Sequence, residues 1–179
     1  MARTPFIGGG HTVTFESNLG WMAASWLEGL LARLTFGHTS PQAAVAYLAV
    51  DRDPGEATHS MNSLIGRLQA FAAGDRSDDF LDVALMVTDK TPFQQAVIER
   101  CRRIPRGETL SYGELAVAVG HPGAARAVGS VMATNRFPII VPCHRVVAAG
   151  GAIGGFSAPD GINMKRRLLA PEQVICRNE

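Results

Sequence analysis

Cysteine is scarce in this chain: Cys101, Cys143 and Cys176 are three residues in 179. An odd number without paired spacing argues against a disulfide framework, and there is no Cys-x-x-Cys pair to hold zinc. His11, His38 and His59 alone make a poor ligand set, so no metal is expected. No stretch reaches the roughly 20 apolar residues that a membrane span needs. Met1-Ala2-Arg3-Thr4-Pro5-Phe6 lacks the apolar core of a signal peptide, which points to the cytosol, or to the nucleus in a eukaryote. A lone thiol stays reduced in such a compartment. Repeats and low-complexity segments are absent.

What is present is an ordinary globular composition, 46% hydrophobic and 18% charged. That suits one domain or two small ones. The net charge of +1 conceals an asymmetry: six Lys/Arg face ten Asp/Glu in residues 1–90, and eleven face six in residues 91–179. A basic half is a hint of polyanion binding, although an ordinary solvated surface has the same look.

The pattern predicts an α+β protein. A small N-terminal α/β domain, residues 1–88, carries antiparallel strands at His11–Ser17, Trp21–Trp26 and Leu30–Phe36. Helices are expected from Ser40-Pro41 to Leu48 and from Ser60 to Ala73, and a further strand over Phe80–Val87. A mostly helical C-terminal domain, residues 91–179, follows. Thr91-Pro92-Phe93-Gln94 and Ser111-Tyr112-Gly113-Glu114 both have the form of a capping box that opens a helix. Gly120-His121-Pro122-Gly123 breaks the second of these, and Ala124–Ala133 makes the next, so the pair reads as a helix-turn-helix. Ala124, Ala125, Ala127, Gly129 and Ser130 are all small, with Arg126 standing among them. Such a surface suits close packing, either on another helix or on a duplex.

Phe137-Pro138-Ile139-Ile140-Val141-Pro142-Cys143-His144-Arg145-Val146-Val147 places a nucleophile candidate beside a base candidate. Ile139–Val141 reads as a strand buried on both faces and stopped by Pro142. A lone cysteine is more often a small buried hydrophobe than a catalyst, so the pair alone decides little.

The flanking residues decide more. Ile-Ile-Val-Pro-Cys-His-Arg-Val-Val resembles the active-site signature of the O6-alkylguanine-DNA alkyltransferases. Phe93-Gln94-Gln95-Ala96-Val97, Ile104-Pro105-x-Gly107-Glu108-Thr109, Ser111–Ala116, Ala124–Gly129, Asn135, Gly154–Ser157 and Lys165-Arg166-x-Leu168-Leu169 follow in that family's order. These motifs span roughly half the chain. The N-terminal half resembles the family's variable domain only in outline.

The resemblance implies direct, stoichiometric, irreversible transfer of an alkyl group from O6-alkylguanine in DNA, with O4-alkylthymine a second candidate, to Cys143. It implies no cofactor and duplex DNA as partner, bound by a monomer with cooperativity left open. The helix-turn-helix would enter the minor groove, with Arg126 replacing the extruded base and Tyr112 crowding the adjoining phosphate. Main-chain groups of Val146 and Ala148, with Phe156 and Ser157, would form the base pocket. A Cys143–water–His144–Glu172 relay would raise the thiolate fraction, Tyr112 would donate to the leaving base, and Asn135 would brace the turn carrying Cys143. Three features depart from the family pattern: Phe156 in place of Tyr, a long Ser157–Gly161 loop, and Pro171 before Glu172. The rival readings are weaker. A damage sensor of the alkyltransferase-like type would lack Cys143, a cysteine hydrolase leaves the helix pair unexplained, and a transcriptional regulator leaves Pro-Cys-His-Arg without purpose.

Overall fold

Residues 10–49 and 57–173 are described by the computed structural model; Cys176 and the Met1–Phe6 segment lie outside them. Two compact units divide the chain. One holds the described residues up to Asp78 together with Asp82–Met86, and the other holds Asp79–Leu81 with the described residues from Val87 onward.

In the first unit, β1 (His11–Phe15), β2 (Trp21–Leu27) and β3 (Leu30–His38) form an antiparallel sheet in the order β1-β2-β3. Ser17–Gly20 makes the first turn, where the Gly20 amide donates to the Ser17 carbonyl at 3.0 Å. The second turn has only two residues, Glu28 and Gly29, both at positive φ (53° and 79°). That backbone matches the twist of adjacent strands, at some strain for Glu28. Helix α1 (Pro41–Leu48) starts at Ser40, whose hydroxyl accepts from the Ala43 amide, and packs Ala44 and Leu48 with Ala23 and Trp21 of β2. Helix α2 (His59–Ala72) is capped by Thr58 and buries Met61, Leu64, Leu68 and Phe71 on one face. Its Arg67 donates to both Asp78 and Asp82, which fastens the returning chain.

The expected strand over Phe80–Val87 does not form. Only one bridge, Leu31 to Leu85, survives, made by Leu31 N–H to the Ala84 carbonyl and Met86 N–H to the Leu31 carbonyl. Phe80 sits at φ 55°, out of strand geometry, and the Phe80 and Leu81 carbonyls accept from Arg102 in the second unit. An apolar run signals burial, and here burial comes without a partner strand.

The second unit is built from α3 (Pro92–Arg102), α4 (Tyr112–Ala118), α5 (Ala125–Ala133) and α6 (Gly161–Leu169). Both expected capping boxes are present: Thr91 with Gln94, and Ser111 with Glu114. Helices α4 and α5 pack on each other and on α3, with Val97, Ile98, Cys101, Leu115, Ala116, Val128, Val131 and Met132 buried. The sequence pattern missed a short parallel pairing of β4 (Leu110–Ser111) with β5 (Val146–Val147). It ties the start of α4 to the segment just after Cys143.

Ile139–Val141 is not a strand. The three residues are buried, but they form a turn in which Ile139 has φ 75° and the Val141 amide donates to the Phe137 carbonyl at 2.7 Å. The side-chain amide of Asn135 stands in for a partner strand, accepting from the Phe137 amide at 3.0 Å and donating to the Val141 carbonyl at 2.9 Å. Hydrophobic periodicity cannot reveal a turn whose backbone is satisfied by one distant side chain.

Candidate active site

Pro142 directs the chain into a single 3-10 turn, Cys143–Arg145. Cys143 is buried, and its Sγ accepts from Asn135 Nδ2 at 3.1 Å. One side-chain amide thus holds both ends of the 137–141 turn and the sulfur together.

Burial pushes the Cys143 thiol above its ordinary range, outweighing the Asn135 hydrogen bond and the Lys165 charge that act the other way. The resting group is a thiol. Desolvation of the sulfur outweighs the groups around it that favour the anion.

His144 is wholly buried, and burial lowers its pKa against the opposing pull of Glu172, leaving a neutral imidazole at neutral pH. Its Nε2 lies 3.4 Å from Glu172 Oε1, and its buried Nδ1 has no hydrogen-bond partner among the described residues. A carboxylate beside Nε2 favours the tautomer with the proton there, which leaves Nδ1 as the acceptor. Glu172 ends a short 3-10 turn, Ala170–Glu172, begun after α6 with Pro171 in its first positions. Burial raises the Glu172 carboxyl, yet hydrogen bonds from His144 and Arg145 hold it down at about 2.

Above Cys143 opens a largely apolar cavity of about 340 Å³, lined by Tyr112, Gly129, Met132, Ala133, Cys143, Gly155, Phe156 and Ser157. Tyr112, the first residue of α4, is placed there by the Ser111 cap and the β4–β5 pairing. Burial, and then the nearby Cys143, raise its phenol pKa, so the hydroxyl keeps its proton to donate. Gly154, at φ 65°, lets the opposite wall approach: a Cβ there would lie 3.5 Å from the Tyr112 hydroxyl and 3.4 Å from the Ala148 amide nitrogen.

Of the residues expected at the site, Tyr112, Gly129, Cys143, Phe156 and Ser157 meet in the cavity, with Asn135, His144 and Glu172 behind the sulfur. Val146 and Ala148 are not in its lining. The Val146 carbonyl accepts from Lys165 Nζ at 2.7 Å, and Ala148 exchanges main-chain bonds with Ala152 and Gly151. Arg126 is exposed on α5, and its spacing to Gly129 and Ala133 puts it on the helix face that borders the cavity. Ala124 and Ala125 are half-buried, while Ala127 and Ser130 are exposed.

The DNA-binding domain model of 6-O-methylguanine DNA methyltransferase matches residues 92–174. A methylated-DNA–protein-cysteine methyltransferase of Mycobacterium bovis is 44% identical over 121 residues, which is 68% of each chain. One from Shigella flexneri is 40% identical over 112 residues, 63% of each. Mycobacterium tuberculosis OGT, solved in complex with DNA, superposes with a TM-score of 0.73 at 36% identity, covering 91% of this chain and 93% of that one. The O6-methylguanine-DNA methyltransferase of Pyrococcus kodakaraensis gives 0.65 at 26% identity, covering 93% and 100%.

This chain belongs to the methylated-DNA–protein-cysteine methyltransferase family.

Two residues of this methyltransferase that sequence reasoning left without a role are central to the geometry. Arg145 gives two hydrogen bonds to Glu172, Nε to Oε2 at 2.8 Å and Nη2 to Oε1 at 2.7 Å, and a third from Nη1 to the Ile104 carbonyl at 2.8 Å. Lys165, fully buried on α6, donates from Nζ to the Val146 carbonyl and, at 3.4 Å, to that of Gly155. It joins the turn bearing Cys143 to the loop lining the cavity. For Arg145 the available signal was a cation inside an apolar segment, which demands a buried partner; Lys165, first of three consecutive cations, carried no such signal. Nothing in the sequence pointed to Met132 and Ala133 as wall residues, because helical spacing marks them only as core.

Proposed function

We propose that this methyltransferase repairs O6-alkylguanine in duplex DNA by moving the alkyl group to Cys143 Sγ, once per molecule. The observation that carries this reading is a buried thiol at the base of a cavity sized for a nucleobase, with an amide donor on the sulfur and a neutral imidazole backed by an ionised carboxylate. The thiol proton passes, through a water, to His144 Nδ1. Sulfur then attacks the alkyl carbon in line, an S–C bond forms and the C–O6 bond breaks. Guanine leaves with its electron pair, and Tyr112 offers a proton to the ring nitrogen as charge develops. The product thioether has no facile hydrolysis route, so the protein is consumed.

Residues 91–179 act as the catalytic and DNA-binding domain, and residues 1–88 as the variable N-terminal one. Helices α4 and α5 serve as a helix-turn-helix in the minor groove. The small residues Ala124, Ala125, Ala127, Gly129 and Ser130 allow close approach to the duplex, and Arg126 fills the gap left by the flipped nucleotide. Flipping costs a few kcal/mol and least for a damaged, poorly paired base, which supplies part of the selectivity. Ser157, in the cavity wall, recognises the base edge, while Phe156 packs over it. The reading needs no cofactor and a reducing compartment such as the cytosol. No helix among the described residues is long and apolar enough to cross a membrane.

The test is intact-protein and peptide mass spectrometry after mixing with one equivalent of duplex containing O6-methylguanine. One methyl on the peptide holding Cys143, with no second transfer, is the expected result. A lesion-binding protein that stays unmodified overturns the reading in favour of a damage sensor.

A further inference from the structure

Glu172 has one long contact to His144 and two short ones to Arg145. A carboxylate that served the imidazole alone would turn toward Nε2. Here its plane is instead set by the guanidinium fork, which takes one hydrogen bond to each oxygen in the bidentate geometry that suits arginine and not lysine. The fork is tied at a third point, where Nη1 donates to the Ile104 carbonyl just past the end of α3. Arg145 is adjacent in sequence to His144 and on the same 3-10 turn as Cys143. A continuous set of hydrogen bonds therefore runs from the segment after α3 through Arg145 to Glu172 and the imidazole.

We propose that Arg145 is a positioning residue for alkyl transfer: by clamping both oxygens of Glu172 and the Ile104 carbonyl, it fixes the carboxylate that holds His144 in its Nε2–H tautomer. This rests on the repair reading above. The clamp leaves Oε1 shared between Arg145 Nη2 and His144 Nε2, so the imidazole is oriented without taking the carboxylate's proton affinity for itself. Among the described residues, other charged or titratable groups lie near this pair. Arg106 donates to the Pro171 carbonyl, Lys165 acts on His144 through space, and Cys101 of α3 lies near Arg145 as a neutral thiol raised by burial.

The experiment is single-turnover methyl transfer from O6-methylguanine duplex, measured against pH for wild type, Arg145→Lys, Arg145→Gln, Glu172→Gln and the Arg145→Lys/Glu172→Gln double variant. Lysine keeps the charge but cannot make the fork, so Arg145→Lys slows transfer by up to about 100-fold, the scale for misplacing a reacting group by about 1 Å. If Arg145 acts through Glu172, the double variant is no slower than Glu172→Gln alone. In Arg145→Gln the buried carboxylate loses its cation and its pKa rises, so transfer is lost as pH falls through a range where wild type is unaffected. A merely structural arginine would lower the unfolding temperature and leave both the cycle additive and the pH profile unmoved. Wild-type speed in Arg145→Lys, or losses that add in full, overturns the proposal. On wild-type protein, where no variant has to fold, imidazole 15N shifts of His144 show the Nε2–H form, and the Nδ1–H form overturns it as well. Failure of wild type to acquire methyl at Cys143 would instead sink the repair reading itself.

Discussion

Burial holds Cys143 in a resting, protonated state against the Asn135 hydrogen bond and the Lys165 charge. Replacing the sulfur with a hydroxyl, Cys143→Ser, abolishes methyl transfer while duplex affinity in a gel-shift titration stays near wild type, since no DNA-facing group changes. Asn135→Ala removes the donor to Sγ and orphans the Phe137 amide and the Val141 carbonyl together. Each unsatisfied buried group costs about 1–3 kcal/mol, so chemical denaturation shows a clear loss of stability, and transfer in the surviving fold is slower. Asn135→Asp, which keeps the acceptor but puts charge beside the sulfur, recovers part of the stability and none of the rate. Glu172 sets a pH limit. Its carboxyl is depressed from the ordinary 4.5 to about 2 in the folded protein. The stabilisation is complete above the unfolded value and is lost as pH falls from about 4.5 towards about 2. Acid unfolding followed by circular dichroism checks this, and Glu172→Gln flattens the profile in that window.

Helix α5 turns one face to the cavity and carries Arg126 on the adjoining exposed surface. Its arginine should matter only when a base has to leave a stack. Arg126→Ala therefore slows transfer from O6-methylguanine in duplex much more than transfer from free O6-benzylguanine, and equal losses on both substrates would refute the wedge role. Across the cavity the 154–157 segment has no regular structure, and its approach depends on Gly154. A methyl group at that position meets Tyr112 at an ordinary contact distance of 3.5 Å, but φ 65° strains the backbone that forms this wall. Gly154→Ala should consequently lose activity on bulky adducts before it loses activity on methyl, as read from rate ratios for O6-benzylguanine and O6-methylguanine in the same duplex.

The protein divides its labour between an acidic first half and a basic second half, and the basic half contains the cavity and the α4–α5 pair. Affinity for undamaged duplex should fall as salt rises, with a log–log slope of about −0.9 for every phosphate neutralised; a flat response would mean that charge has no part in binding. The chain order alone determined much of this: capping boxes at Thr91 and Ser111, the hairpin strands, α1 and α2, and the Cys143-His144 pair with Glu172 as its distant partner were all legible, because caps, turns and catalytic dyads depend on residues a few positions apart or on a motif of fixed wording. The strands expected at Phe80–Val87 and Ile139–Val141 were not, because an apolar run reports burial and says nothing of whether the backbone finds a ladder or a side-chain amide. Tertiary structure alone decided that Arg145 clamps Glu172 across 27 positions and that Lys165 spans two loops. It also decided that desolvation keeps Cys143 protonated. Each of these depends on which groups lose water together, and that is a property of the packed molecule.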